Sequence, residues 1–225
     1  MLALMRKDAL STQVIVDPFD TTDKTPEPAG FFYNNVESLP SNESCAQLLK
    51  EVPVITNVSV TATSSTNGTM YIAWSKPDPD DLDTITNHGP YKYVLSRSEG
   101  FPGGNMQEIT SFTAPTFSTL SDSIFNDAGL NTQDHPYSYK IGFYANENFI
   151  GETEIASSIY LSTAGVDNAI NLTWNLSVPW QNDYYTIYRK NTAGLYDSIG
   201  VSTSLSYQDG QLSNGVEQCY YVKIV

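Results

Sequence analysis

Two cysteines and two histidines are all that the 225 residues hold of thiol and imidazole. Zinc takes about four convergent Cys or His ligands, and Cys45, Cys219, His88 and His135 are widely scattered. Nucleophilic catalysis needs a base beside the nucleophile, usually histidine. Both histidines stand next to glycine or proline in loop-like sequence, and no nucleophile elbow is present. The sequence therefore offers no catalytic, cofactor-binding or metal-binding residue, and no enzyme is expected. Basic residues are scarce: 11 Lys and Arg face 25 Asp and Glu, a net charge of −14. Such a surface repels phosphate backbones, which argues against nucleic acid, and it favours solubility. No run of about 20 apolar residues exists, so no membrane-spanning helix is expected. Met1 to Leu10 carries two basic residues without a long apolar stretch after them and does not read as a signal peptide. Helical periodicity is missing too. The best window, Glu43 to Leu49, is too short to stand alone.

What the chain does hold is a repeated strand pattern. Met70-Tyr71-Ile72-Ala73-Trp74 returns as Ile170-Asn171-Leu172-Thr173-Trp174. Every second residue is large and apolar, so one face is buried and the other is not. A terminal tryptophan can anchor a core between two sheets. The length suffices for two domains of about 100 residues. Fifteen tyrosines lead the aromatics. Runs of Tyr, Ile, Val and Thr between Gly, Pro, Asn, Asp and Ser clusters read as all-β.

In chain order, Gln13 to Val16 reads as one strand and Asp17 to Gly30 as a polar linker. Phe31 to Tyr33 and Glu37 to Leu49 look like the last hairpin of a preceding module. Val52 to Val60 is an edge strand that tolerates Pro53. Asn67-Gly68 predicts a tight turn into the Trp74 strand. Strands are expected at Tyr91 to Arg97, Glu108 to Phe112, Thr116 to Leu120, Tyr137 to Phe143 and Phe149 to Ile159. Phe125 to Leu130 is expected to turn the chain over. A second set begins near Tyr160, with strands ending in Trp174, at Tyr184 to Arg189, Tyr196 to Ile199 and Cys219 to Val225. There Tyr207 to Leu212 repeats the turnover. Asp127 to Tyr139 and Asp209 to Tyr221 share one spacing, which aligns Tyr139 with Tyr221.

These residues resemble fibronectin type III domains. Trp74 and Trp174 match that family's strand B tryptophan. Tyr93 with Arg97, and Tyr185 with Arg189, match its strand C. Leu130 with Tyr139, and Leu212 with Tyr221, resemble its tyrosine corner. The phrases Glu37 to Cys45 and Gln218 to Val222 also resemble repeats of Bacteroidetes cell-surface proteins, gliding-motility-associated ones among them. The resemblance implies tandem antiparallel β-sandwiches of immunoglobulin-like type with incomplete terminal modules. Residues 1–50 would be linker and remnant, 51–160 one module, and 161–225 a module lacking its last strand. It also implies that each cysteine's partner belongs to its own module, upstream for Cys45 and past Val225 for Cys219. Cys45 and Cys219 are thus expected not to pair.

The expected role is that of an extracellular or cell-surface spacer, adhesion or interaction unit whose partner is another protein or a surface glycan. A carbohydrate-binding segment of a secreted enzyme and a receptor ectodomain are the alternatives. Three features bear on a ligand. Asp78 to Asp83 is the densest carboxylate run, but it lacks the glycine and terminal glutamate of a helix-loop-helix calcium site. Asn42, Asn57, Asn67, Asn171 and Asn175 begin Asn-x-Ser/Thr sequons, of consequence in a eukaryotic secretory setting. Tyr91, Tyr184 and Tyr188 are expected to line strand faces, with a sugar or protein platform as the alternative.

Overall fold

The computed structural model describes residues 52–80, 82–101 and 104–224, which fall in the compact unit Gln47–Val225. Gln13 to Val16, Phe31 to Tyr33, Glu43 to Leu49 and Cys45 lie outside the described residues.

The first eight strands build one sandwich. β1 (Val54–Ala62), β2 (Gly68–Ser75) and β5 (Ile124–Leu130) form a sheet in the order β1-β2-β5. β3 (Tyr91–Glu99), β4 (Gln107–Ala114), β6 (Tyr137–Ala145) and β7 (Asn148–Glu152) form the facing sheet, ordered β4-β3-β6-β7, and β8 (Ala156–Ser157) also pairs with β6. Alternation decides the inner face: Met70, Ile72 and Trp74 on β2 meet Tyr93, Leu95, Tyr139, Ile141 and Phe143 in one buried cluster. Trp74 packs edge-on against Tyr93 with centroids 6.0 Å apart.

The arrangement then repeats. β9 (Tyr160–Val166), β10 (Ala169–Asn175) and β13 (Ser206–Gly210) form a sheet ordered β9-β10-β13. β11 (Tyr185–Lys190), β12 (Tyr196–Ser202) and β14 (Tyr220–Ile224) form one ordered β12-β11-β14. Leu172, Trp174, Tyr185 and Ile187 are its buried centre. Every ladder is antiparallel. The protein is therefore all-β, with immunoglobulin-like sandwiches of fibronectin type III-like strand order. The two differ at one edge. β6 carries β7 and β8 on its outer side, whereas among the described residues β14 pairs with β11 alone.

Several local expectations are corrected. Phe125 to Leu130 is not a turnover but lies in β5, and Tyr207 to Gly210 lies in β13, the chain leaving that strand only at Gln211, with φ 61°. Their Asn, Asp and Gly content imitates a turn, but each places an aspartate into the interior. Thr116 to Leu120 is a turn, not a strand. It is closed by Thr119 N–H donating to Thr116 O at 3.2 Å, and it tucks Phe117 and Leu120 into the core. Phe149 to Ile159 breaks into β7 and β8 at Thr153, whose hydroxyl accepts from Ile141 N–H at 3.0 Å. Gly68 is the first residue of β2 and is required by close approach, since a Cβ there would fall 2.0 Å from Thr132 Oγ1.

One polar bridge crosses each interior. Arg97 on β3 donates to Asp127 Oδ2 on β5 at 2.7 Å, and the Tyr139 hydroxyl on β6 donates to the same oxygen at 3.0 Å. Arg189, Asp209 and Tyr220 repeat it at 2.7 and 2.9 Å. A buried carboxylate is tolerated only when paired and hydrogen-bonded. Here the cation and the phenol come from one sheet and the carboxylate from the other, so the bridge ties the sheets together. It also corrects the tyrosine alignment. The tyrosine follows the aspartate by 12 residues in the first sandwich and 11 in the second, so Tyr220 is the counterpart of Tyr139. The corner tyrosine of the first sandwich is Tyr137, whose hydroxyl oxygen accepts from Asn131 N–H at 3.1 Å.

Two outcomes are expected. Trp174 is 1% exposed, and Trp174→Ala should cost about 3–5 kcal/mol in urea unfolding, the range for large buried aromatics. Burial, with the Asp127 charge second, raises the Tyr139 phenol above its ordinary value. A raised folded pKa leaves stability intact below the unfolded value near 10 and removes it above, by ~1.4 kcal/mol per pH unit for one group. Stability measured against alkaline pH should fall, and Tyr139→Phe should make that fall shallower.

Candidate functional site

The sequence-nominated features do not converge. His88 is exposed in the β2–β3 loop, its Nδ1 3.0 Å from Gly89 O. His135 stands between β5 and β6 with Nδ1 3.3 Å from Glu99. In the acidic loop, Asp83 caps a turn: its Oδ1 accepts from Ile85 and Thr86 N–H, and its Oδ2 from the Thr86 hydroxyl at 2.7 Å. The Thr86 hydroxyl, with the two backbone donors behind it, holds the Asp83 carboxyl below its ordinary value. Leu82 plugs into the core beside it. Among the described residues no group of three or more His, Cys, Asp or Glu could hold a metal ion, and no helix is long and apolar enough to cross a membrane. Asn57, Asn67 and Asn175 are exposed, and Asn171 accepts from Gln208. Cys219 is an exposed free thiol.

The tyrosines do converge, though not the expected set. Tyr91 is 2% exposed, inside the first core, where it stacks on Phe143 and its hydroxyl donates to Asn87 O. Tyr188 instead lies on the outer face of the β12-β11-β14 sheet. It faces Tyr221 in register, with ring centroids 4.5 Å apart and planes 17° apart. Tyr196 joins from β12, 4.8 Å from Tyr221 at 58°. Burial against this group, then the Tyr188 and Tyr196 phenols, raises the Tyr221 pKa. Sequence spacing hides Tyr221, and with it the contact to Tyr196, because it aligns Tyr221 with the inward tyrosine. A one-residue slip turns a side chain to the opposite face. The alternation of Tyr220, Val222 and Ile224, all packed against the core, is the signal that places Tyr221 outside.

Charge sharpens the contrast between the sandwiches. On the outer face of the first, lysines are neutralised: Lys92 pairs with Glu147 at 2.7 Å and Lys140 with Glu152 at 2.8 Å. Val94, Ser96 and Gly142 form the floor of a shallow groove of about 310 Å³ there. On the second, the strand positions on the outer side are Thr186, which is buried, and Tyr188, Lys190, Tyr196, Ser198, Val201, Tyr221 and Lys223, as register and alternation dictate. None is a carboxylate. Asp197 lies opposite the inward Arg189. Lys190 and Lys223 are exposed, and Val201 is 62% exposed. In a chain of net charge −14, this face is aromatic and locally basic.

No protein-family model matches the chain, and no curated protein matches it. Among solved structures, the FN1-FN3 domains of chicken CNTN1 are similar at 11% identity and a TM-score of 0.28, over 76% of this chain and 57% of that one. The chain thus spans little more than half the length of that structure. The fold assignment rests on the strand order.

If the ring contacts carry energy, Tyr188 and Tyr221 should be coupled. A double-mutant cycle of Tyr188→Ala and Tyr221→Ala should give about 0.5–1.5 kcal/mol of interaction in urea unfolding, where independent surface residues would give additive losses.

Proposed function

We propose that the chain is a non-enzymatic spacer and protein-contact unit of an extracellular or cell-surface protein, with modules at residues 51–160 and 161–225. The observation that carries this reading is the joint. Ser157 N–H donates to Ser177 O at 2.8 Å, and Ser177 N–H donates back to Ser157 Oγ at 2.7 Å. Trp180, from the β10–β11 loop of the second sandwich, packs against the core cluster of the first. Ser158, next along, hydrogen-bonds the first residue of β6 through both its backbone and its hydroxyl. A flexible linker would carry none of these ties. A joint so tied holds the second sandwich at a set orientation, which is what a spacer requires.

Adhesion at a bacterial surface, gliding motility included, is supported by the resemblance of the Glu37 to Cys45 and Gln218 to Val222 phrases to Bacteroidetes surface repeats. The tyrosine group bears on the choice between protein and glycan. Its rings stack on one another instead of forming an open row, and Val201 adds aliphatic surface. Compact aromatic anchors within a polar rim are the composition of protein contacts.

The joint is tested by small-angle scattering of wild type and Trp180→Ala. The variant should keep both folded cores, seen by circular dichroism, and show a broadened distance distribution. An unchanged profile would count against the stiff spacer.

A further inference from the structure

We infer that the tyrosine face of the second sandwich docks the acidic β2–β3 loop of a second copy of this chain. This rests on the protein-contact reading of that face and adds the identity of the occupant. What the face lacks is a partner with carboxylates and an apolar anchor. The first sandwich displays both together. Asp78, Asp80 and Asp83 are exposed in the β2–β3 loop, and the turn that Asp83 caps holds out Ile85, 90% exposed. Ile85 is the most exposed large hydrophobic side chain among the described residues. Leu82 anchors the loop beneath it. The turn at Asp83 thus presents exposed carboxylates together with an aliphatic point. The complementary face has Tyr188, Tyr196, Tyr221 and Val201 at its centre, with Lys190 and Lys223 free of ion pairs among the described residues.

The loop and the face cannot satisfy each other readily within one chain. β6 begins at the joint, where Ser138 pairs with Ser157. It ends beside the loop, where Ala145 pairs with Tyr91, the first residue after it. Nine strand residues separate these ends by about 30 Å. The contact is therefore between copies, and it is heterologous: the tip of one copy meets the face of the next, and the joined pair leaves one tip and one face open. Long-range repulsion between acidic copies opposes association. At physiological salt it is screened beyond about 8 Å, and the docked surfaces are locally opposite in sign.

Sedimentation of the full chain from micromolar to millimolar concentration tests this. The average mass of wild type should rise with concentration beyond that of a dimer. Ile85→Asp alone, and Lys190→Glu with Lys223→Glu alone, should each stay monomeric while keeping wild-type circular dichroism. Mixed, the two variants should recover association and stop at the dimer, because each keeps one working surface. A wild type that stays monomeric at millimolar concentration overturns the proposal, as does a mixture that stays monomeric or an Ile85→Asp chain that associates like wild type. A monomeric wild type with the scattering behaviour expected of the joint would leave the spacer reading standing while removing the second copy as occupant.

Discussion

A carboxylate in the middle of a β-sandwich must be neutralised where it stands. Asp127 and Asp209 each accept from an arginine and a tyrosine on the opposite sheet. Leaving either unpaired would cost several kcal/mol, so the charge commits its partners to fixed strand registers. Arg97 and Tyr139 face inward together because they are paired residues of β3 and β6, and Arg189 and Tyr220 do the same on β11 and β14. The apolar cores close around these bridges. The indole N–H groups of Trp74 and Trp174 stay buried without an acceptor among the described residues, a cost that burial of the large ring surface offsets.

The inward register of the second bridge also sets what the second sandwich shows to the outside. With Tyr220 held on Asp209, Tyr221 must point out and meet Tyr188 across the strand pair. On the first sandwich the same two outward places, beside Arg97 and Tyr139, are filled by Ser96 and Lys140, and the lysine is paired with Glu152. One scaffold thus carries a shallow groove lined by Glu108, Lys140 and Glu152 on one module and, on the other, an aromatic face whose described strand positions hold no carboxylate. Function in such modules lies in the surface placed on the sandwich rather than in the sandwich itself. The joint bears on the same surface, because Trp180 packs against the first core and Ser157 and Ser177 bond the two sandwiches.

Much of the fold was legible in the residues. The strict alternation of Met70, Ile72 and Trp74, repeated at Ile170, Leu172 and Trp174, marked the two inner faces. Tyr93 with Arg97 and Tyr185 with Arg189 marked the strand beside them. Burial on one face imposes a period of two, and that period survives in the sequence. Legibility stopped where composition and placement diverge. Asn126-Asp127 and Gln208-Asp209-Gly210 have the chemistry of turns, yet they are strands because the aspartate is met by an arginine far along the chain. Thr116 to Leu120 has strand-like composition, yet it is a turn because Phe117 and Leu120 both reach the core.

The sequence by itself determined the all-β class, the tandem repeat, the inward tryptophans and the acidic balance, since each follows from local period and composition. Tertiary structure alone decided which tyrosine faces in, which faces out, and which three rings meet. Those outcomes depend on a carboxylate reaching across two sheets and on a one-residue difference in spacing between repeats. It also decided that Trp180 belongs to a joint, because its neighbours come from the other sandwich and no local pattern announces them.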